Sequence, residues 1–346
     1  MPSSTPTASP TPTATPSSPP SFAEFAIPAT SIADGPDGNL WVTIAGASPA
    51  IEALNTAAVV QASYPIGPYP VAIISGPQGK LWFGDGSAIE SITASGTLTP
   101  FPLPTLSQVN RLTQGPDGNV WATLASEMND GTQTIDQLNV TSGAVMLFST
   151  DSQTNCGGST TLSVTAPDQI TSGSDGALWF TVSSESPQSG GPFRATIGRM
   201  TTNGSLTCYP LAGPLVGGNG ITRNSADGNV WFTDYNAVGR ITPTGAVSEY
   251  YVDGGPSYGI VAASDGSLWF LLASDDPPDA IGYSGIGHVD KTGNVLGTYQ
   301  IPTQNALAGS ITIGPDGNIW FTENGVGKVG RLLISADKPA KFQRSR

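Results

Sequence analysis

The chain has 346 residues, of which 38% are apolar, enough for a large hydrophobic core, and it contains no apolar run of the ~18 residues that a membrane-spanning helix requires. Its 13 basic and 26 acidic side chains give a net charge of -13, so nucleic acid is not an expected partner, because phosphate neutralisation requires a basic surface. Gly and Pro, at 43 and 30 residues, form about a fifth of the chain, and this turn-rich composition with seven Trp indicates an all-β protein.

The N-terminal segment has a composition that differs from the rest of the chain. Residues 2–20 are all Pro, Ser, Thr or Ala, which predicts a disordered tether over residues 1–21. Such a tract commonly follows an export signal or lipid anchor, and no charged segment with an apolar stretch precedes it here. We therefore expect an extracytoplasmic protein, secreted or tethered to the cell envelope, whose export signal is not part of this chain. A basic tail is predicted at 337–346, leaving 22–336 as the folded domain.

One sequence unit recurs seven times after the tether. Each copy has a short apolar segment, a turn that contains Gly, and a Trp followed by a β-rich run, and the seven Trp lie 38 to 58 residues apart. The copies begin at Ile32, Ile73, Leu112, Ile170, Ile221, Ile260 and Ile311. Because Asp-Gly favours a tight hairpin, the apolar segment and the Trp run are read as the first two strands of a blade.

Two further strands complete the unit, as in "TIGRMTTNG" from Thr196 followed by "LTCYPL". Seven four-stranded units predict an all-β, seven-bladed β-propeller. The last copy has no outer strand of its own. "FAEFAIP" at 22–28 matches the outer-strand pattern, so we expect it to close the last blade from the N-terminus.

The repeat, seen as "GPDGNIWFT" from Gly314 and "VGRIT" from Val238, resembles the virginiamycin B lyase family and the wider streptogramin-lyase-like β-propellers. The resemblance runs from about Phe22 to Ser335. It implies a seven-bladed propeller that opens a cyclic depsipeptide antibiotic by elimination across its ester. It further implies a His general base, with Glu and His residues and a Mg²⁺ ion on the active face.

The resemblance places these groups at two positions of the repeat. The first lies two residues before the start of each copy: Thr30, Val71, Asn110, Asp168, Asn219, Tyr258 and Gly309. The second lies three residues after each Trp: Ile44, Asp85, Leu124, Val182, Asp234, Leu272 and Glu323. None of them is His. We expect lyase activity to be absent, because the elimination requires a base, and Asp168 and Glu323 remain as the catalytic candidates.

Three acidic residues at the second position form a candidate metal site. Asp85, Asp234 and Glu323 would bind one Mg²⁺ or Ca²⁺ if the channel brought them within reach of it, and the alternative is a solvated, acidic channel mouth. His288 replaces an Arg found in other copies, which favours a structural role over a catalytic one. The Trp residues and the Asp of each Asp-Gly turn are also interpreted as structural.

The loops after the second strands vary in length and are expected to surround a binding site. Candidate ligand contacts there are Asn219, Tyr235, Tyr258 and Tyr283, together with Phe193 and Arg194; the alternative for each is an ordinary loop residue. The expected partner is a small molecule, a glycan or a protein, and the chain is expected to be a monomer.

Three functions remain open from the sequence: a binding module without lyase chemistry, a metal-dependent lyase or related hydrolase with a different base, and a structural envelope protein.

The cysteines add one expectation about compartment. Cys156 precedes blade four and Cys208 lies in its outer strand, so an oxidising compartment would pair them, and the alternative is two free thiols.

Overall fold

A computed structural model describes residues 21–104, 108–125, 134–150, 167–182, 196–211, 220–234, 237–252, 255–274 and 283–334. Within these ranges the chain forms 28 strands, grouped in seven four-stranded antiparallel sheets, and one short 3-10 turn at Pro77–Gly79. The predicted seven-bladed propeller is therefore confirmed. The predicted ends of the domain, at 22 and 336, stay predictions.

Each of the first six blades is a run of four consecutive strands. Blades one and two are β2 (Ala29–Asp34), β3 (Leu40–Ile44), β4 (Ala50–Leu54), β5 (Val60–Pro65), then β6 (Pro70–Gly76), β7 (Lys80–Asp85), β8 (Ala88–Ile92), β9 (Leu98–Pro102). Blades three and four are β10 (Gln108–Gln114), β11 (Val120–Ala125), β12 (Thr134–Leu138), β13 (Val145–Ser149), then β14 (Pro167–Ser172), β15 (Ala177–Val182), β16 (Thr196–Thr201), β17 (Leu206–Pro210). Blades five and six are β18 (Ile221–Arg223), β19 (Val230–Asp234), β20 (Ala237–Ile241), β21 (Val247–Tyr251), then β22 (Pro256–Ala262), β23 (Leu268–Ser274), β24 (Tyr283–Val289), β25 (Val295–Gln300).

Blade seven combines the two ends of the described chain. It contains β26 (Ala308–Ile313), β27 (Ile319–Glu323) and β28 (Lys328–Leu333), and its outer strand is β1 (Ser21–Phe25), which pairs antiparallel with β28. The Phe25 ring stacks on the Trp320 ring, with the two ring centroids 5.8 Å apart. The predicted closure by an N-terminal outer strand is confirmed.

The same stacking holds every blade together. The Trp on the second strand is buried in each copy and stacks on a Tyr or Phe of the outer strand, at centroid distances of 5.2 to 6.0 Å. The outer-strand rings are Tyr64, Phe101, Phe148, Tyr209, Tyr250, Tyr299 and, for blade seven, Phe25. The structural interpretation of the Trp set is therefore correct.

The Asp of the Asp-Gly turn does more than form a turn. In five blades its carboxylate accepts a hydrogen bond from the indole Nε1 of the Trp four residues later, at 2.9 to 3.1 Å. In blade four the other carboxylate oxygen of Asp175 also binds Arg199 Nε at 2.7 Å. The turn residue thus anchors both the Trp and the third strand, which explains why the repeat combines these residue types.

Blade three differs from blades four to seven at one position of its core. In blades four to seven a Gly on the third strand lies so close to a Phe ring of the second strand that a Cβ atom would come within 2.1 to 2.2 Å of it. Blade three has Ala122 in place of the Phe and Asp136 in place of the Gly. The Asp136 carboxyl is fully buried, and among the described residues neither oxygen accepts a hydrogen bond of normal geometry, although the Thr134 side chain acts to lower its pKa. Burial raises the pKa of Asp136 to about 6.

Two further observations bear on the sequence expectations. Cys208 on β17 is disulfide-bonded, which agrees with the expected pairing, while Cys156 lies outside the described residues. In the described part of the chain no helix is long and apolar enough to cross a membrane.

Candidate functional site

The two repeat positions singled out by sequence meet at one face of the ring. The start of each first strand pairs with the end of the second strand, as in Ala29 with Ile44, Pro70 with Asp85 and Ala308 with Glu323. The first strands of neighbouring blades contact each other in turn around the ring. We call this end of the strands the site face.

The first repeat position coincides with an irregularity in the innermost strand. The register between first and second strands shifts across Thr30, Asn110, Asp168, Tyr258 and Gly309. An extra residue of this kind is a β-bulge, which leaves one residue outside the ladder and changes the direction of its side chain. The bulges place residues at or beside this repeat position outside the regular ladder of five first strands.

A buried Thr, two residues after the Trp, holds the bulge in place. The hydroxyls of Thr181, Thr233 and Thr322 accept hydrogen bonds from backbone N–H groups of the adjoining first strand at 2.8 to 3.1 Å. In blade three the Thr123 hydroxyl donates instead to the carbonyl of Asp168 in blade four, at 2.7 Å. The Trp-x-Thr motif therefore fixes the backbone of the site face and, at Asp168, joins two blades.

Blades three and four share a polar cluster at this face, formed by Asn110, Arg111 and Asp168. Asn110 Nδ2 donates to Asp168 Oδ1 at 2.9 Å. Arg111 Nη1 donates to the Asn110 backbone oxygen at 2.8 Å and to its Oδ1 at 3.3 Å. The Asn110 amide thus bridges the Arg111 guanidinium and the Asp168 carboxylate, and both contacts set its orientation. All three side chains are half-buried. Asp168, a predicted site residue, belongs to this cluster.

Glu323 occupies a different environment from the one expected. Its carboxyl is fully buried, and neither oxygen has a hydrogen-bond partner in the described structure. Lys328, its neighbour across the ladder, directs its ammonium to Glu24 at 3.0 Å instead. Burial, assisted by the charge of Glu24, raises the pKa of Glu323 to about 7, against the opposing effect of Lys328. A side chain with no exposure reaches no ligand in this conformation.

The predicted metal trio is not brought together. Asp85 is half-buried in blade two and accepts a hydrogen bond from the Tyr69 N–H at 2.9 Å, while Asp234 is buried in blade five and Glu323 in blade seven. Among the described residues, no three His, Cys, Asp or Glu side chains are grouped so that they would hold a metal ion. The three carboxyl groups lie in three different blades and are not grouped as the ligands of one ion.

His288 lies away from the site face, as the sequence indicated. It sits on β24 opposite Trp269, and the two rings stack with centroids 3.6 Å apart and planes 10° apart. Arg199, Arg240 and Arg331 lie over the corresponding Trp rings of their own blades. Burial lowers the pKa of His288 to about 4, although Asp265 and Asp290 oppose the shift. The imidazole is therefore neutral at pH 7 and serves as a packing group.

The structure describes only two of the remaining ligand candidates, and those only as backbone positions. Asn219, Tyr235, Phe193 and Arg194 lie outside the described residues, and Tyr258 and Tyr283 are placed only as backbone positions in β22 and β24. Sequence reasoning missed Arg111. Its signal was available: the residue just before the start of every other copy is uncharged, namely Ser31, Ala72, Gln169, Gly220, Gly259 and Ser310.

Comparisons with known proteins agree with this architecture. The sequence profile of the virginiamycin B lyase family matches residues 155–338, slightly more than half of the chain. Virginiamycin B lyase of Nocardia farcinica is 30% identical over 170 residues, which cover 48% of this chain and 51% of that protein. The match thus spans about half the length of this curated relative.

Two solved structures are similar over nearly their whole length. A streptogramin B lyase structure is 27% identical, with a TM-score of 0.67, and the match covers 90% of this chain and 97% of that one. Virginiamycin B lyase from Staphylococcus aureus is 25% identical, with a TM-score of 0.70, and the match covers 91% and 99%.

Proposed function

The chain belongs to the virginiamycin B lyase family, and we propose that it is a ligand-binding member of that family without lyase activity. One observation carries the proposal. No His occupies either repeat position of the site face, and the single His of the chain, which is half-buried, stacks on Trp269 with its pKa lowered to about 4. An elimination that begins with removal of an α-proton needs a base near that proton, and this imidazole is on a different strand.

The binding role is supported by the polar cluster of blades three and four. Asn110, Arg111 and Asp168 offer an amide, a guanidinium and a carboxylate, and the backbone at Asp168 is held by the buried hydroxyl of Thr123. Sites built on rigid strands with a few oriented polar groups suit a small molecule. A small-molecule ligand at the site face is therefore the partner we propose.

We also propose an extracytoplasmic location. Structural disulfides persist in oxidising compartments and are rare in the cytosol, and Cys208 is disulfide-bonded.

Incubation of the purified protein with a streptogramin B antibiotic is expected to leave the ring intact, with or without added Mg²⁺. Liquid chromatography with mass spectrometry separates the cyclic compound from its linear product, and the Staphylococcus aureus relative serves as the positive control. We expect the relative to convert the cyclic antibiotic to its linear product. This chain should form no more linear product than a blank without protein.

A lyase that uses a carboxylate base is the second candidate, because the pKa of Glu323 lies near neutral. Its full burial argues against direct contact with a substrate. Formation of a linear product that Asp168→Asn or Glu323→Gln abolishes would overturn the binding proposal and favour this one.

A further inference from the structure

Arg111 is a half-buried cation on the site face that has no carboxylate partner among the described residues. The ion pairs in the described part of the chain join Arg199 to Asp175, Lys328 to Glu24 and Arg331 to Asp316. Arg111 is half-buried, yet within the part of the chain that the structure describes its hydrogen bonds go only to Asn110. In a protein with a net charge of -13, a partly desolvated guanidinium without a counterion is a local excess of positive charge.

The side chain is held so that most of its donors remain available. Both hydrogen bonds leave from Nη1, and no acceptor in the described ranges of the chain is bonded to Nη2 or Nε. A guanidinium presents its donors as a planar fork that matches a carboxylate, and the fixed Nη1 restricts the rotation of that fork. The ordering of a long side chain is then already complete before a ligand binds.

Asn110 lies between the guanidinium and Asp168, and the two charged groups form no direct ion pair in the described structure. The amide stands between them, accepting from Arg111 and donating to Oδ1 of Asp168, while Oδ2 of Asp168 has no bonded donor in the described structure. A cation and an acceptor therefore lie on either side of one amide. A ligand that complements both offers a carboxylate with an N–H donor beside it.

We propose that Arg111 is the anion-binding group of the site face and that it binds a ligand carboxylate, with Asp168 accepting a hydrogen bond from an adjacent ligand N–H. The ligand class is an acylated amino acid or the C-terminus of a peptide. The proposal deepens the binding function proposed above and rests on it.

The test uses N-acetylglycine as the probe and follows the Arg111 Nε–H signal by NMR in the full-length protein labelled with ¹⁵N-arginine. The signal is assigned by its absence in Arg111→Lys. We expect a saturable shift with N-acetylglycine and none with N-acetylglycinamide, which has the same N–H but no charge. Arg111→Gln should weaken binding roughly tenfold or more, measured by calorimetry, since hydrogen bonds to charged groups are the strong ones.

Arg223→Gln is the matched control, because Arg223 is exposed at the far end of another first strand and should not affect binding. Asp168→Asn should weaken the binding of N-acetylglycine but not the binding of acetate, because acetate has no N–H group. Unchanged melting temperatures would exclude unfolding as the cause. Equal binding by wild type and Arg111→Gln, an equal response to the neutral amide, or no saturable response to N-acetylglycine would each overturn the proposal. These results are independent of the antibiotic assay, which alone tests for turnover.

Discussion

Removal of residues 1–28 is expected to lower the free energy of unfolding by about 4 kcal/mol and the melting temperature by roughly 10 °C, whereas removal of residues 1–20 should change neither appreciably. The longer deletion eliminates β1, the outer strand of blade seven. It exposes Trp320, which is fully buried beneath Phe25, and it removes the contact of Phe22 with Phe321.

Polar contacts across the same junction add to the loss. Glu24 Oε2 accepts hydrogen bonds from the Thr303 hydroxyl at 2.6 Å and from Lys328 Nζ at 3.0 Å. Without β1, the edge of β28 is unpaired, and open edges favour association between molecules. We therefore expect the longer deletion to increase aggregation as well, which light scattering would detect.

A point substitution tests the contribution of β1 to stability without shortening the chain. Phe25→Ala should cost about 2 kcal/mol, as should Phe148→Ala in blade three, because both rings are half-buried and stack on a buried Trp in the same way. Calorimetric unfolding of both variants and both truncations provides the measurement. Identical melting temperatures for the two truncations, or a neutral Phe25→Ala beside a destabilising Phe148→Ala, would contradict a structural role for β1.

The fold was predictable because the repeat displays its own period. Seven Trp lie at blade spacing, six with Asp-Gly before them and five with Thr two residues after, and they determine where each hairpin lies. The missing outer strand of blade seven directs attention to residues 22–28. The hydrogen bond from Trp41 Nε1 to Asp37 was not predictable from turn preferences alone. It depends on a distance across the hairpin that only the folded backbone provides.

The candidate site was predicted in position but not in chemistry. Sequence placed Asp168 and Glu323 on one face, and the ladders bring both positions there. Their side chains nevertheless differ, because Asp168 is held by Asn110 of the neighbouring blade while Glu323 packs into the interior. Contacts between blades join residues 58 positions apart in the chain, and no periodicity within one copy reports them.

Replacement of Glu323 by Gln is expected to change the pH dependence of stability by about 3 kcal/mol between pH 4.5 and pH 8. The folded protein holds the proton of Glu323 up to about pH 7, whereas an unfolded chain releases it near 4.5. The raised pKa thus contributes stability that is fully present below pH 4.5. That contribution is lost as the pH rises through 7, because the ionised carboxylate is then buried without a partner.

Gln is the appropriate replacement because it keeps the shape of the protonated side chain and cannot ionise. We expect Glu323→Gln to match the wild type at pH 4.5 to within the cost of burying an amide, and to be relatively more stable at pH 8. Denaturant unfolding at several pH values measures the difference. Glu249→Gln, at an exposed position, is the control for the substitution itself.

Asp136→Asn provides a second comparison with a different window. Its carboxyl is also buried without a partner, and its pKa is raised from 3.8 to about 6, so the loss of wild-type stability should be complete by about pH 6 instead of pH 7. Because the two sites lie in blades three and seven, their effects should add.

A Glu323→Gln difference from wild type that stays constant from pH 4.5 to pH 8 would show that this carboxyl is already ionised and solvated at neutral pH. Glu323 would then be available at the site face, and the carboxylate-base alternative would regain its candidate.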